Sequence, residues 1–531
     1  MIRLPKLSVK HRNVADGRQE GNERMSEITK SRDEKKYVMA FDIGTTGCRT
    51  FLFDRKGTIV GSSYKEFRQI YPQPGWVEHD AEVIWATQME ITQNVLKENH
   101  VIFDEIAAIG ITNQRETIVV WDKYTGKPVM NAIVWQDRRT SEYCNELRER
   151  GFDDYIRENT GLIIDSYFSG TKIKWILEHV EGAREKAEKG DLICGTIDSW
   201  MIWNLSGGKI HVTDYSNASR TLVFNIKELK WDDYLLDALS IPKSMMPKAC
   251  QSSEVYGMTD PEAFLGAAIP IAGAIGDQQG ALFGQTCFTP GMVKATYGTG
   301  GSLMMNTGDV AVRSKNGLLA SIAWGINGEI QYSLEGLLYI VGASVQWLRD
   351  ELQIIEKSSD SEAMAMAVED NNGVYLVPAF VGMSAPYWDE HARGALIGLT
   401  RGANKNHIVR AALESIAYQI KDVLICMEDE AQIKPVALKV DGGVTNNNFV
   451  MQFQSSLLGI EVVKPKVVDA TVRGAAFLAG LATGFWESKD ELLETFEIDK
   501  SFTPDTSEAG KAGMEKYYQG WKNAIGCIIH V

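Results

Sequence analysis

Polar side chains follow three apolar runs of this chain, and their types suit the binding of a hydroxylated ligand and the transfer of a proton. The three polar segments span residues 113–117, 135–139 and 276–280. Ligands of open α/β sheets lie beyond the carboxyl ends of the strands, so Arg115, Glu116, Trp135 and Asp277 are expected at one site. Taken alone, Asp277 could equally be a helix N-cap or a metal ligand, and Arg115 could form an exposed salt bridge.

Two turns rich in glycine and threonine, each between two predicted strands, have the composition of anion-binding hairpins. They span residues 43–47 and 299–301. Glycines allow backbone N–H groups to face a phosphate, Thr45 and Thr46 add hydroxyl donors, and Asp42 could hold a metal ion. Either turn alone could be a tight hairpin that needs glycine for its backbone. Together they predict a duplicated fold with two facing phosphate hairpins.

Hydrophobic patterns predict the elements that would carry these residues. Strands are predicted at residues 37–42, 49–53, 58–64, 106–112, 131–134, 269–275, 291–298, 302–306 and 436–440, and helices at residues 80–99, 174–179, 335–351, 406–427 and 471–480. Gly342 and Gln346 lie four apart, on one face of their predicted helix. The small residues of 471–480 favour close helix packing over ligand contact. Residues 214–220 are interpreted as structural, with their hydroxyls in turns and caps.

Length and composition indicate an enzyme of two domains. The 531 residues exceed what one hydrophobic core usually serves, and the net charge of −15 argues against nucleic acid or an anionic membrane as the main partner. No apolar run approaches the roughly 18 residues of a membrane span. Seven scattered cysteines favour reduced thiols in the cytoplasm over disulfides or a zinc site. Residues 1–36 are polar and predict a disordered tail, in which Met25 is a second candidate for the natural start.

Seven motifs occur in a fixed order along the chain. They are Asp42-Ile-Gly-Thr-Thr46, Asn113-Gln-Arg-Glu-Thr117, Asp165-Ser-Tyr-Phe-Ser-Gly-Thr-Lys172, Gly276-Asp-Gln-Gln279, Tyr297-Gly-Thr-Gly300, Ala385-Pro-Tyr-Trp388 and Asp441-Gly-Gly443. In this order they resemble the glycerol kinases of the FGGY carbohydrate kinase family, over residues 37–486. The resemblance implies an α/β fold of two RNase H-like domains, as in actin, hexokinase and Hsp70, with ATP in the cleft between them.

The resemblance also implies a role for individual residues. Asp277 would take the proton from the terminal hydroxyl of glycerol, and Asp42 and Asp277 would hold Mg²⁺. The polyol would contact Arg115, Glu116, Trp135, Tyr167, Asp277 and Gln278. ATP would contact Thr45, Thr46, Gly47, Arg49, Thr299, Gly342, Gln346, Gly443 and Asn447. The implied activity is the ATP-dependent phosphorylation of glycerol to sn-glycerol 3-phosphate, in a cytoplasmic homo-oligomer (a dimer or tetramer).

The same resemblance implies a division of the chain. An N-terminal kinase domain at residues 37–284 would carry the polyol site and the first phosphate hairpin. A C-terminal kinase domain at residues 285–490 would carry the nucleotide site, and residues 491–531 would form an extension.

Two departures from the family pattern keep other functions open. Ile43 stands where these kinases usually have glutamine, and Ser302 stands where many have a phenylalanine that walls the glycerol pocket. Because losing that ring removes apolar contact to the carbon chain, a kinase for another small polyol or sugar is the second hypothesis. The third is a catalytically weak nucleotide-binding regulatory protein. Such a protein would be expected to lack Asp42 or Asp277, and both are present.

Overall fold

The computed structural model describes residues 35–466 and 469–529, so nearly all of the predicted tail at residues 1–36 lies outside the described residues. The strands are β1 (Tyr37–Ile43), β2 (Gly47–Phe53), β3 (Ile59–Glu66), β4 (Glu78–His79), β5 (Ile106–Asn113), β6 (Ile118–Asp122), β7 (Ala132–Ile133), β8 (Leu192–Thr196), β9 (Val212–Asp214), β10 (Phe224–Asn225), β11 (Lys230–Trp231), β12 (Lys248–Cys250), β13 (Ser253–Met258), β14 (Pro270–Gly276), β15 (Met292–Tyr297), β16 (Gly301–Gly308), β17 (Leu319–Ile326), β18 (Glu329–Leu338), β19 (Tyr375–Val377), β20 (Ala395–Ile397), β21 (Ala437–Asp441), β22 (Glu461–Pro465) and β23 (Ile498–Phe502).

The helices lie between these strands and after the last of them. They are α1 (Ala81–Glu98), α2 (Ser141–Glu149), α3 (Asp153–Thr160), α4 (Ser169–His179), α5 (Ala183–Glu188), α6 (Ile197–Leu205), α7 (Tyr215–Ala218), α8 (Asp233–Ala238), α9 (Asp277–Gly284), α10 (Gly342–Asp350), α11 (Asp360–Met366), α12 (Lys405–Ala431), α13 (Asn448–Leu458), α14 (Ala470–Thr483), α15 (Lys489–Glu494) and α16 (Glu508–Gly526). Each predicted strand is present, with ends that differ by no more than a few residues.

The central sheet has thirteen strands, and its two halves repeat one pattern. The strand order is β3-β2-β1-β5-β14-β13-β17-β18-β16-β15-β21-β22-β23. In the first half β1 is antiparallel to β2 and parallel to β5. In the second half β15 is antiparallel to β16 and parallel to β21. The predicted duplication is confirmed, and the two halves meet through a single paired position of β13 and β17, Ser253 with Ile326.

Helix α14 packs directly on the backbone of the first half, because glycines stand where the two approach. A Cβ atom on Gly110 of β5 would lie 2.2 Å from the carbonyl oxygen of Ala475. One on Gly474 would lie 2.1 Å from the carbonyl oxygen of Gly280 in α9. Real Cβ atoms do not approach carbonyl oxygens this closely, so the close packing predicted for the small-residue helix is confirmed. It fixes α9, whose first residue is Asp277, against the sheet.

The prediction of a helix at residues 335–351 is wrong for residues 335–341. Strand β18 continues to Leu338, and α10 begins at Gly342. Most of β18 is buried, and it pairs on one side with β16 and on the other with β17. A strand buried on both faces has no polar–apolar alternation, so periodicity cannot separate it from a buried helix. The correction puts Glu335 on a central strand of the sheet.

The C-terminal residues extend the second half of the fold. Strand β23 adds to the sheet edge beside β22, in antiparallel register. Helix α16 is tied to α12 by two hydrogen bonds to the buried carboxylate of Asp422, from the Tyr518 hydroxyl at 2.6 Å and from Trp521 Nε1 at 2.8 Å. The segment predicted as an extension is therefore packed on the second half of the molecule.

The structure shows the state of the cysteines, the grouping of metal-ligating side chains and the hydrophobicity of the helices. All seven cysteines are free thiols, and only Cys527 is exposed. Within residues 35–466 and 469–529 no three or more His, Cys, Asp or Glu side chains form a group able to hold a metal ion by themselves. None of the helices in these two ranges is long and apolar enough to cross a membrane.

Candidate active site

Two neighbouring cavities share the second hairpin turn, and the first of them is lined by residues from both halves of the fold. The first has a volume of about 540 Å³. It is lined by all six residues predicted to contact a polyol, Arg115, Glu116, Trp135, Tyr167, Asp277 and Gln278. Strands β5, β7 and β14 end shortly before Arg115, Trp135 and Asp277. The fold therefore assembles these residues at strand ends, as ligand sites of α/β sheets require.

Arg115 is the centre of a buried charge network at the base of this cavity. Its Nη1 and Nη2 atoms donate to the two carboxylate oxygens of Glu335, at 3.0 and 2.8 Å. Its Nε lies 3.1 Å from Oδ1 of Asp277 and 3.7 Å from Oε1 of Glu116. Only 3% of the Arg115 side chain is exposed, so the alternative of an exposed salt bridge is excluded. Because both of its edges are engaged, Arg115 presents a fixed orientation to the cavity.

A second guanidinium, that of Arg220, completes this network. Its Nε donates to Oε1 of Glu116 at 2.6 Å, and its Nη1 lies 3.2 Å from Oε2 of Glu335. Arg220 comes from residues 214–220, which the sequence indicated as merely structural. Asp214 does cap α7 as expected, accepting hydrogen bonds from two backbone N–H groups. Arg220 lies behind the cavity, against Glu116 and Glu335, and the sequence interpretation did not single out this contact.

Asp277 is the first residue of α9, and Gly276 is the N-cap residue of that helix. The alternative in which Asp277 is the N-cap is therefore wrong. A third of the side chain is exposed to the cavity, and Oδ1 accepts a hydrogen bond from the Gln278 backbone N–H at 2.7 Å. Burial raises the pKa of this carboxyl, and Arg115 opposes the rise. A carboxylate that is oriented, partly exposed and made more basic by burial has the properties of a general base.

The two other carboxylates of the network differ in pKa. Burial alone would raise the pKa of Glu335, but Arg115 and Arg220 outweigh it and hold the pKa at about 2. For Glu116, burial prevails over Arg220 and Arg115, and the pKa is raised. Glu335 is thus a firmly ionised anchor between two arginines, whereas the charge of Glu116 depends on its cationic neighbours.

Lys294 joins this site to the second half of the fold. It is fully buried in β15. Its Nζ donates to Oε1 of Gln278 and, at 3.2 Å, to Oγ1 of Thr296. Burial lowers the pKa of Lys294, while Asp441 and Glu335 oppose that effect. A lysine inside an otherwise apolar predicted strand was the signal in the sequence that could have identified it.

The second cavity has the residues predicted for the nucleotide. Its volume is about 440 Å³. Its lining includes five of the predicted nucleotide residues, Thr299, Gly342, Gln346, Gly443 and Asn447. A Cβ atom on Gly342 would lie 2.6 Å from the carbonyl oxygen of Gly298, whereas one on Gly443 would meet no atom within 4 Å. Gly298 and Thr299 line both cavities, so the second hairpin turn is where the two cavities adjoin.

The first hairpin lies beside the polyol cavity. Thr45 lines that cavity, and its Oγ1 accepts a hydrogen bond from Trp135 Nε1 at 3.0 Å. Thr46, Gly47 and Arg49 belong to the same hairpin but line neither of the two cavities. Arg49 instead contacts two carboxylates, Asp42 at 3.0 Å and Asp469 at 3.1 Å.

Asp42 lies at the mouth of the first hairpin with less positive charge around it than negative. Burial raises its pKa to about 6, Asp277 and Asp469 add to that rise, and Arg49 opposes it. An excess of carboxylate charge at a buried position fits a divalent cation. Mg²⁺ in phosphoryl-transfer sites takes one or two carboxylates, with the phosphates and water completing its shell.

This combination of fold and site defines a class of enzymes. Residues 37–284 match the N-terminal domain of the FGGY family of carbohydrate kinases, and residues 293–483 match its C-terminal domain. The chain belongs to this family.

Individual relatives are similar over nearly their whole length. A glycerol kinase of Alkaliphilus metalliredigens is 60% identical over 92% of this chain and 98% of its own. The crystal structure of Plasmodium falciparum glycerol kinase with ADP has a TM-score of 0.88 and 34% identity, over 93% of this chain and 98% of its own. The structure of a gluconate kinase from Lactobacillus acidophilus has a TM-score of 0.83 at 25% identity, covering 92% and 98% of the two chains.

Proposed function

We propose that this protein transfers the γ-phosphoryl group of ATP to a terminal hydroxyl of glycerol and forms sn-glycerol 3-phosphate. The observation that carries the proposal is the pairing of two adjoining cavities. One is lined by the six polyol residues and the other by five of the nucleotide residues. The similarity to glycerol kinases, including one solved with ADP, supports the same pair of substrates.

The residues of the first cavity suit a small triol. Glycerol offers little apolar surface, so its selection depends on charged and polar groups that fit its hydroxyls. Arg115 and Gln278 donate, Glu116 accepts, and Tyr167 can do either. The Trp135 ring packs edge-on against Tyr167, with 5.6 Å between the ring centroids, and supplies an apolar wall.

Asp277 is the proposed general base. The attacking hydroxyl oxygen bonds to the γ-phosphorus, the bond to the β,γ-bridging oxygen breaks, and ADP leaves with that electron pair. The hydroxyl proton passes to Asp277. The transition state of phosphoryl transfer is loose, so the proton is needed late and a carboxylate suffices as the base. Holding acceptor and phosphate in line supplies about 7–11 kcal/mol of the barrier.

Asp42 and Asp277 are the proposed ligands of Mg²⁺. The cation, when bound with ATP, would neutralise charge on the phosphates. Support for this assignment is the raised pKa of Asp42 beside Asp277 and Asp469. Thr45, Thr46, Gly47 and Arg49 are proposed to contact the phosphates from the first hairpin, because the polyol cavity adjoins it through Thr45.

The proposed organisation of the chain follows from the same resemblance. Residues 37–284 would bind the polyol, residues 285–490 would bind the nucleotide, and residues 491–531 extend the second domain. The family matches at residues 37–284 and 293–483 support a boundary between them. We further propose a cytoplasmic homo-oligomer, either a dimer or a tetramer.

A polyol panel in a coupled assay of ADP formation tests the proposed function. The panel comprises glycerol, a tetritol, a pentulose and gluconate, each with Mg²⁺ and ATP. Ser302 lines the cavity, with its Oγ 3.3 Å from Oε1 of Glu335, so the panel also tests whether a longer acceptor is accepted there. We expect ADP formation that requires glycerol. Formation that ignores glycerol but responds to another acceptor would refute the proposal, and no response to any acceptor would favour the regulatory hypothesis.

The nucleotide assignment predicts an effect of Gly443→Ala. Gly443 lines the cavity proposed for ATP, and the added methyl group would meet no protein atom within 4 Å, so it would strain no protein contact. We expect the KM for ATP to rise roughly 5- to 100-fold, as overpacking predicts. The free energy of unfolding should change by less than about 0.5 kcal/mol. Steady-state kinetics and urea unfolding measure the two quantities.

Gly513→Ala is the matched control for that substitution. Gly513 lies in α16 and a Cβ atom there also meets nothing within 4 Å, but it lines neither cavity. The KM of this variant for ATP should stay near the wild-type value, while its free energy of unfolding should rise by about 0.5–1 kcal/mol, because alanine is favoured over glycine inside a helix. If Gly443→Ala likewise left the KM for ATP unchanged, the second cavity would not be the nucleotide site.

A further inference from the structure

We propose that Arg220 is a positioning residue for the acceptor, acting through Glu116; the inference rests on the proposed function. Arg220 is fully buried and does not line the polyol cavity, so it cannot touch the acceptor itself. Its guanidinium lies behind Glu116, with its Nε 2.6 Å from Oε1 of that carboxylate. The rings of Tyr167 and Phe168 cover it, with centroids 5.6 and 5.2 Å away. Arg220 therefore contacts two residues that line the cavity, Glu116 and Tyr167.

The backbone of Glu116 shows why its side chain needs such support. Its φ angle is 60°, in the left-handed region that residues other than glycine seldom adopt. Such a conformation persists only where the surroundings determine it fully. The carbonyl oxygen of Glu116 accepts hydrogen bonds from Ser169 Oγ at 3.0 Å and Lys172 Nζ at 3.4 Å. Among the residues that the structure describes, only Arg220 holds the carboxylate at hydrogen-bond distance, because Arg115 Nε lies 3.7 Å away.

Arg220 also sets the charge that Glu116 presents to a hydroxyl. The network contains three carboxylates, Glu116, Glu335 and Asp277, and only two guanidiniums, Arg115 and Arg220. Without Arg220, Arg115 would be the one guanidinium left among the three carboxylates, and Glu116 would keep only Arg115 and Lys172 as cationic neighbours in the part of the chain that the structure describes. Glu116 would take up a proton more readily than in the wild type, since burial already raises its pKa and Arg220 is the largest opposing influence. A protonated carboxyl no longer accepts hydrogen bonds with both oxygens, so the acceptor would lose a charge-assisted hydrogen bond.

Within the described ranges, five charged or titratable side chains act electrostatically on the Glu116 carboxylate. They are Arg115, Arg220, Asp277, Tyr167 and Lys172. With Arg220 replaced by glutamine, the folded pKa of Glu116 is expected to rise further, because the largest influence that lowers it is removed. The ionised form is then lost as the pH falls through that value. The KM for the acceptor should therefore rise as the pH falls in the variant, and much less in the wild type.

The test is a double-mutant cycle of Arg220→Gln and Glu116→Gln in the full chain. We expect Arg220→Gln to raise the acceptor KM about 10- to 100-fold, the size of a lost hydrogen bond to a charged group, with the KM for ATP within about 2-fold. Arg220→Lys should recover part of the loss. In the Glu116→Gln background, Arg220→Gln should add little, because the group through which it acts is already neutral.

Arg473→Gln controls for the mere loss of a buried arginine. Arg473 is as buried as Arg220 but lines neither cavity, so its replacement should lower thermal stability without separating the two KM values. Arg220 would not be a positioning residue if Arg220→Gln raised the KM values for acceptor and ATP equally, or raised neither. The same conclusion would follow if the effects of Arg220→Gln and Glu116→Gln on the acceptor KM were additive. Wild-type activity on glycerol tests the proposed function separately. If the wild type acts on another acceptor of the panel, the KM values of the variants relative to wild type are measured with that acceptor, and they decide the role of Arg220.

Discussion

Asp277→Asn is expected to lower kcat by about 10²- to 10⁴-fold, the usual contribution of a general base. Asparagine keeps the shape of the side chain, can still accept the hydrogen bond from the Gln278 backbone N–H, and still places an oxygen beside Arg115. It cannot take up a proton from the acceptor hydroxyl. Nucleotide binding should persist, because Asp277 lines only the polyol cavity. Single-turnover kinetics with glycerol, together with ADP binding by calorimetry, measure the two effects.

The same variant separates a base from a metal ligand, the two roles that the sequence leaves open for Asp277. If Asp277 serves only to hold Mg²⁺, raising the Mg²⁺ concentration should restore kcat in Asp277→Asn. If it is the base, kcat should stay low at saturating Mg²⁺. Asp154→Asn is the control, since that carboxylate is 92% exposed and pairs with Arg313 on the surface. Full activity of Asp277→Asn at any Mg²⁺ concentration would remove both roles.

The sequence predicts that Arg115, Trp135 and Asp277 come together in one cavity, because strand ends there coincide with sharp changes of composition. β14 and β5 are apolar runs that stop at polar segments, so Asp277 and Arg115 stand out where each strand ends. Gly342 and Gln346 were assigned to one helix face, and both do line the second cavity. Residues 335–338 form a strand and not the predicted helix, but α10 begins at Gly342, so the prediction that Gly342 and Gln346 share a helix is unaffected.

The partners of these residues could not be predicted, for a common physical reason. Glu335 and Arg220 lie 220 and 104 residues away in sequence from their partners Arg115 and Glu116. Charge pairs at such separations leave no periodic pattern, and only the register of the sheet brings them together. Lys294 differs, since one charged residue within a buried strand is visible in the sequence. A charged residue within a predicted buried strand is therefore as good an indicator of a functional site as a polar residue at the end of such a strand.

Glu335→Gln is expected to lower the free energy of unfolding by about 3–5 kcal/mol, the cost of leaving a buried charge without its partner. Glu335 accepts from Arg115 and lies 3.2 Å from Arg220, so its loss leaves two buried guanidiniums without the carboxylate between them. The pKa of Glu335, about 2, lies below the ordinary value of 4.5. Its stabilisation is therefore full above about pH 4.5 and is lost as the pH falls toward 2. Urea unfolding across that range should show the difference between wild type and variant shrinking.

Adding Arg220→Met to Glu335→Leu separates stability from function. Apolar residues replace a buried ion pair at little cost only where both partners are removed, and here Arg115 and Glu116 remain without their partners, so only part of the lost stability should return. The affinity for the acceptor should not return, because Glu116 would then lack the arginine that keeps it ionised. Glu158→Gln is the control, since its half-exposed pairs with Lys227 and Arg313 should contribute within about 1 kcal/mol. If Glu335→Gln unfolded no more easily than Glu158→Gln, Glu335 would not anchor the network. If the double variant bound the acceptor normally, the site would depend on Arg115 alone.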